Sequence, residues 1–235
     1  MGNWNWQVFL QDTGGEQTYL QWLMSAWGWT LSVALLALVI ALVVGSTIGI
    51  LRTVPNKALS FFGEAWTELF RNVPLLVQLF LWYHVLPALF LPLRAVPSFA
   101  LVVFGLGFFT SARIAEQVKA GIQTLPMGQR YAGLAMGLTL PQTYRYVLMP
   151  MAFRIVIPPL TSESMNIIKN SSVAFAVSIA ELTFFAQQAA EETSRGIEIY
   201  LAVSFLYFIS AFAINRLATF IEHWVAVPGI VGAGK

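Results

Sequence analysis

No cysteine occurs in the 235 residues, which excludes disulfides, thiolate metal sites and a cysteine nucleophile. Charge is nearly as scarce. Charged residues make up 10% of the chain, against about 25% in a soluble domain. The formal net charge is only +2, and the basic residues form no stripe, so there is no electrostatic footprint for nucleic acid. There is no paired-histidine metal motif and no glycine-flanked nucleophilic serine, so no catalytic residue and no metal site are assigned. The tail GIVGAGK, Gly229 to Lys235, has the letters of a phosphate-binding loop. It lacks the preceding strand, the following helix and the hydroxyl for magnesium, and reads as a flexible tail.

What is present is apolar. Hydrophobic residues make up 57% of the sequence and mean hydropathy is +0.70, the composition of a chain dissolved in a bilayer. A membrane helix needs ~20 mostly apolar residues, and five such spans can be placed: about Trp29–Leu51, Ser60–Leu91, Pro97–Val118, Ile155–Ala186 (interrupted by KNSS) and Glu198–Glu222. The first segment, residues 1–28, has tryptophans suited to the membrane interface and none of the marks of a cleaved signal peptide. Nine basic residues fall on one side of this arrangement (Arg52, Lys57, Arg113, Lys119, Arg130, Arg145, Arg154, Arg216 and Lys235). Two, Arg94 and Arg195, fall on the other. By the positive-inside rule the N-terminus lies outside and the C-terminus in the cytoplasm. The fold class is therefore all-α: an integral membrane bundle of about five helices over residues 29–227, with a flexible cytoplasmic tail at 228–235. Ala41, Gly45 and Gly49 fall every fourth residue on the first span, a spacing that lets helices approach closely; packing within the subunit is favoured over a dimer contact.

The cytoplasmic stretch at about 119–152 is not loop-like. Met127 to Leu138 has a helical pattern, with Ala132, Gly133, Ala135 and Gly137 giving a low profile. Thr139 stands three residues before Gln142, with Pro141 between them, so a second helix begins at Leu140 behind a capping box and is expected to end near Pro150. The two helices form an elbow. Its small residues fit either insertion into a groove of another protein or a pair of helices lying on the bilayer.

This segment resembles the coupling helix of ATP-binding-cassette importer permeases, usually written EAA, three residues, G, nine residues, I, one residue, LP. Here Tyr131-Ala132-Gly133, Gly137, Val147 and Met149-Pro150 keep that spacing, with Tyr131 in place of the glutamate. ELFRNVPLLVQLF (Glu68–Phe80), AEQVKAGIQTLPMGQ (Ala115–Gln129) and MNIIKNSSVAF (Met165–Phe175) are similar to permeases of the polar amino-acid uptake family, most of all the glutamate/aspartate type. The likeness runs from about Thr30 to Val227. It implies a multi-pass protein of the bacterial inner membrane that carries no cofactor of its own. Its implied partners are an ATPase dimer that binds ATP and magnesium and docks on the elbow, a second permease, the same or similar, and an extracytoplasmic amino-acid-binding protein.

Ionisable residues inside spans are costly and are candidates for function. Glu68 and Arg71 are three apart and can pair; Arg71 fits a structural ion pair or the substrate pathway equally. Arg113 and Glu116, also three apart, read as a helix-surface pair. In the fourth span Glu163 precedes Lys169-Asn170-Ser171-Ser172, placed where a helix is tolerated broken only if it lines a cavity or is buried in protein. Freed amides beside a cation suit a carboxylate, so Lys169 is the leading substrate contact, its alternative being a partner for Glu163. Asn170, Ser171 and Ser172 follow as pathway-lining groups. The competing class is a self-sufficient transporter or channel driven by an ion gradient, which the broken helix favours. Against it, five spans form no pair of equal repeats.

Overall fold

The computed structural model describes residues 4–15 and 17–225; the tail motif at 229–235 lies outside them. Among the described residues there is no strand, only an isolated bridge between Asp12 and Thr18. The helices are α1 (Tyr19–Leu51), α2 (Lys57–Asn72), α3 (Leu75–Phe80), α4 (Leu86–Leu89), α5 (Ser98–Gln123), α6 (Met127–Ala135), α7 (Leu140–Thr143), α8 (Met149–Asn170), α9 (Leu182–Thr193) and α10 (Gly196–Val225). Three are long and apolar enough to cross a membrane, or up to five spans if each bent pair counts as one.

α1 begins ten residues before the expected start. Thr18 and Gln21 explain this: the Thr18 amide donates to Gln21 Oε1 at 2.9 Å and the Gln21 amide to Thr18 Oγ1 at 3.3 Å, a capping box at the true N-terminus. The 33 residues reach roughly 50 Å at 1.5 Å per residue, more than the ~30 Å of hydrocarbon. The second expected span is interrupted at Val73–Pro74, because Pro74 supplies no amide to the ladder and disfavours a helical residue before it.

Two expectations around the fourth span are not met. The second elbow helix does not stop near Pro150. A π-helical turn over Tyr144–Leu148 joins α7 to α8, and the chain runs on helically to Asn170, with Pro158 and Pro159 inside α8. The wider π turn re-registers the ladder where Pro150 removes a donor. KNSS is not the break either. Lys169 and Asn170 form the last turn of α8 and Ser171–Val177 continues as a 3₁₀ helix. The helical run ends at Ser178, in the left-handed region at φ 60°. A serine hydroxyl can return to its own backbone without ending a helix, and both do: Ser171 Oγ donates to the Ile168 carbonyl and Ser172 Oγ to that of Lys169, each at 2.7 Å.

The chain folds as two compact units. The first comprises Met1–Leu38, Pro74–Gly107 and Met165–Ala213. Its core gathers Leu23, Ala26, Leu182, Phe185, Ala189 and Ile199, with the Trp22 ring edge-on to Phe185 at 5.0 Å. Within that core Glu181 is fully buried and caps α9, accepting from the amides of Thr183 and Phe184 at 2.9 and 3.0 Å and from the Tyr207 hydroxyl at 2.6 Å.

The second unit comprises Val39–Val73, Phe108–Ser164 and Ile214–Lys235. The small-residue stripe of α1 packs here against α5. A Cβ at Gly45 would fall 2.7 Å from Ile114 Cβ and from the Ser111 carbonyl oxygen; one at Gly49 would fall 2.8 Å from the Ala115 carbonyl oxygen. Helix α1 passes close to α5 because side chains are absent at these two positions.

Candidate functional site

The elbow lies wholly in the second unit. Gly137 adopts φ +81° with open space around it, so what it supplies is the left-handed turn between α6 and α7, not clearance. The second helix opens on the expected capping box, with Gln142 Oε1 accepting from the Thr139 amide at 2.8 Å and Thr139 Oγ1 from the Gln142 amide at 3.4 Å. Gly133 is buried, and a Cβ there would lie 2.7 Å from Thr143 Cγ2; it lets the two elbow helices touch. Tyr131, Ala132 and Pro150 are exposed, Val147 and Met149 half-buried. Met136, at the turn, is 83% exposed. Behind the elbow, the buried Tyr144 donates its hydroxyl to the Thr53 carbonyl at 2.8 Å, tying the second elbow helix to the turn that follows α1.

Below that turn is an ion network. Arg52, with a side chain 2% exposed, reaches Glu64 through Nε at 2.7 Å and Glu116 through Nη2 at 2.8 Å. Arg71 Nη1 reaches the same Glu116 oxygen at 2.9 Å and Lys119 reaches Glu64 at 3.4 Å. Burial works against the charge of Arg52, but its bonds to Glu64 and Glu116 outweigh this and hold the guanidinium above its ordinary pKa. The Glu68–Arg71 pairing expected from spacing does not form: Glu68 accepts from Asn72 at 2.6 Å and Arg71 is drawn across to α5. Nor does Arg113 pair with Glu116. Arg113 turns to Glu163 on α8 at 3.9 Å, and Gln117 Nε2 donates to the same carboxylate at 3.3 Å. Glu163 is buried and Arg113 exposed, an arrangement able to present an anion and a cation to a zwitterion.

In the first unit Lys169 is exposed, Asn170 and Ser172 half-buried and Ser171 buried. Among the described residues no carboxylate lies within ion-pair reach of Lys169. Arg71 and Glu163 belong to the second unit and the Lys169 segment to the first. No group of three or more metal-ligating side chains occurs among the described residues. Spacing gave no sign of Gln117, of the Tyr207 bond to Glu181 or of the Tyr144–Thr53 tie, each of which depends on which helices meet.

Residues 41–227 match the family described as the binding-protein-dependent transport system inner membrane component. The chain is 43% identical over 242 aligned positions to the glutamate/aspartate import permease GltJ of Escherichia coli K12, with 98% of each chain covered. It is 32% identical to a probable amino-acid ABC transporter permease, PatM, of Vibrio harveyi, over 85% of this chain and 90% of that one. A crystal structure of an amino acid ABC transporter with histidines superimposes with a TM-score of 0.76 at 29% identity, over 88% of this chain and 95% of that one. The inward-facing MetNI methionine transporter shares the fold at 21% identity, with a TM-score of 0.77 over 88% and 98%. Permeases of this kind are non-catalytic membrane subunits that work with an ATPase and a binding protein. The chain belongs to the binding-protein-dependent transport family, as a membrane permease of an amino-acid ABC importer.

Proposed function

We propose that this permease carries acidic amino acids, glutamate and aspartate, into the cytoplasm. The observation that carries this reading is the 43% identity to a glutamate/aspartate import permease across 98% of both chains. The chemistry of the candidate residues supports it. An acidic amino acid offers two carboxylates and one ammonium, and it needs cations along its path. Lys169 is exposed and free of carboxylate partners among the described residues, while Glu163 with Arg113 offers one charge of each sign. Asn170 and Ser172, half-buried just after Lys169, keep oxygen lone pairs that can accept from a substrate ammonium, and the buried Ser171 lies between them. Arg71, engaged with Glu116, reads better as a structural partner than as a substrate contact.

Energy enters through the elbow. Exposed Tyr131, Ala132 and Met136, with Gly137 setting the turn, form the face that docks on an ATPase holding ATP and magnesium. Val147, Met149 and Pro150 continue that segment into α8, and the Tyr144 tie passes its movement to the foot of α1. The N-terminus lies outside and the C-terminus inside, and two permease subunits, the same or similar, enclose the path between them, fed by an extracytoplasmic binding protein. The test is uptake of radiolabelled glutamate by the reconstituted transporter. Lys169→Ala and Glu163→Gln should leave the complex assembled and lower uptake at least about tenfold, the loss of one charge-assisted contact. Unchanged uptake in both variants would reject these residues as the substrate's partners.

A further inference from the structure

An apolar groove of about 590 Å³ opens in the second unit between the foot of α1 and the second elbow helix. Ile50, Val54, Leu140, Met149 and Phe153 are among its lining residues, and among the described residues Arg145 is the one charged residue on it. Ile50 is in the last turn of a helix long and apolar enough to cross a membrane, and Val54 lies just beyond it. The groove therefore sits where hydrocarbon gives way to headgroups. At this depth the apolar occupant in greatest supply is an acyl chain, and the charged group on the lining beside it is a guanidinium.

We propose that this groove binds an anionic phospholipid, one acyl chain lying along Ile50, Val54, Met149 and Phe153 and the headgroup phosphate on Arg145. Arg145 is exposed, steadied over the Tyr146 ring at 5.5 Å, and among the described residues it has no carboxylate partner. Lys57 and Arg154, near the groove residues in sequence, are likewise exposed without an acidic partner. Positive charge left open at the end of a span is what an anionic leaflet neutralises, and the planar guanidinium matches a phosphate with two parallel bonds. A second groove supplies the contrast. It lies in the first unit along Trp6, Leu20, Met24, Leu201 and Phe205, is of about 500 Å³ and, among the described residues, has no charged lining residue to pair with a phosphate.

The test is photolabelling of the full-length protein in phosphatidylcholine vesicles. These contain a minor fraction of phosphatidylglycerol with a photoactivatable acyl chain or, in parallel, phosphatidylcholine with the same chain. Phosphatidylglycerol should label the peptides around Val54 and Phe153 about fivefold more than phosphatidylcholine, the effect of one basic residue at an anionic surface. Arg145→Gln should bring the two to parity without moving the melting temperature, and Arg145→Lys should keep part of the preference. Equal labelling of the unaltered protein by both lipids would overturn the proposal. So would crosslinks joining these peptides to a second copy or to another protein, which would make the groove a protein interface.

Discussion

Arg52 comes one residue after α1 ends, yet it is the most enclosed cation described, and it holds two carboxylates that come from different helices. Gly63 makes room for it: a Cβ there would lie 2.5 Å from Arg52 Cγ. Removing one member of a fully buried pair costs about 3–5 kcal/mol. Glu64 and Glu116 keep 45% and 34% of their side chains exposed, so Arg52→Met should cost less, about 2 kcal/mol. Arg71→Met, at a side chain 46% exposed, should cost under about 1 kcal/mol. Melting of the two variants in mild detergent checks the order, and a larger drop for Arg71→Met would contradict it. In the first unit Glu181→Ala strips three donors of their acceptor and should cost about 1–3 kcal/mol, read the same way. Arg52 also shows why these contacts were hidden in the sequence. Spacing of three or four residues identifies neighbours on one helix. Arg52–Glu64, Arg71–Glu116 and Arg113–Glu163 each join separate elements, which a single sequence does not pair.

Elements with a local cause were legible. The box at Thr139 and Gln142 named the start of the second elbow helix correctly, because both partners lie within four residues of each other. The same four-residue signature at Thr18 and Gln21 marks the start of α1 and went unread behind the rule that a span begins with its apolar run. Pro150 misled for a related reason: whether a proline ends a helix depends on the register around it, and the π turn at Tyr144–Leu148 absorbs it. Two predictions belong to this scale. Gly137→Ala places a side chain at φ +81° and should strain the elbow by about 1–2 kcal/mol, lowering ATP-driven uptake, whereas Gly137→Asn, which tolerates that conformation, should retain more of it. Gly49→Val should weaken α1 against α5 by about 1–3 kcal/mol through overpacking, seen as a lower melting temperature; an unchanged value would mean that the close approach at Val118 and Ala115 is not held in the membrane.

On the scale of the whole molecule, apolar composition was enough to place the chain in a bilayer, and the elbow motif together with the similar segments at Glu68–Phe80, Ala115–Gln129 and Met165–Phe175 was enough to place it in its family. The division of the chain into two units was not legible, since α1 and α8 each run through a unit boundary without a break. The functional account rests on energy reaching the permease from outside through Tyr131–Pro150, the segment that links α6 to the start of α8. The measurement that tests this most directly is glutamate uptake into vesicles containing this permease, with its ATPase and binding protein supplied or withheld, under ATP and under an imposed ion gradient. Uptake that requires ATP and the ATPase, and that the gradient alone does not drive, is the predicted result. Gradient-driven uptake by the permease in the absence of any ATPase would contradict it.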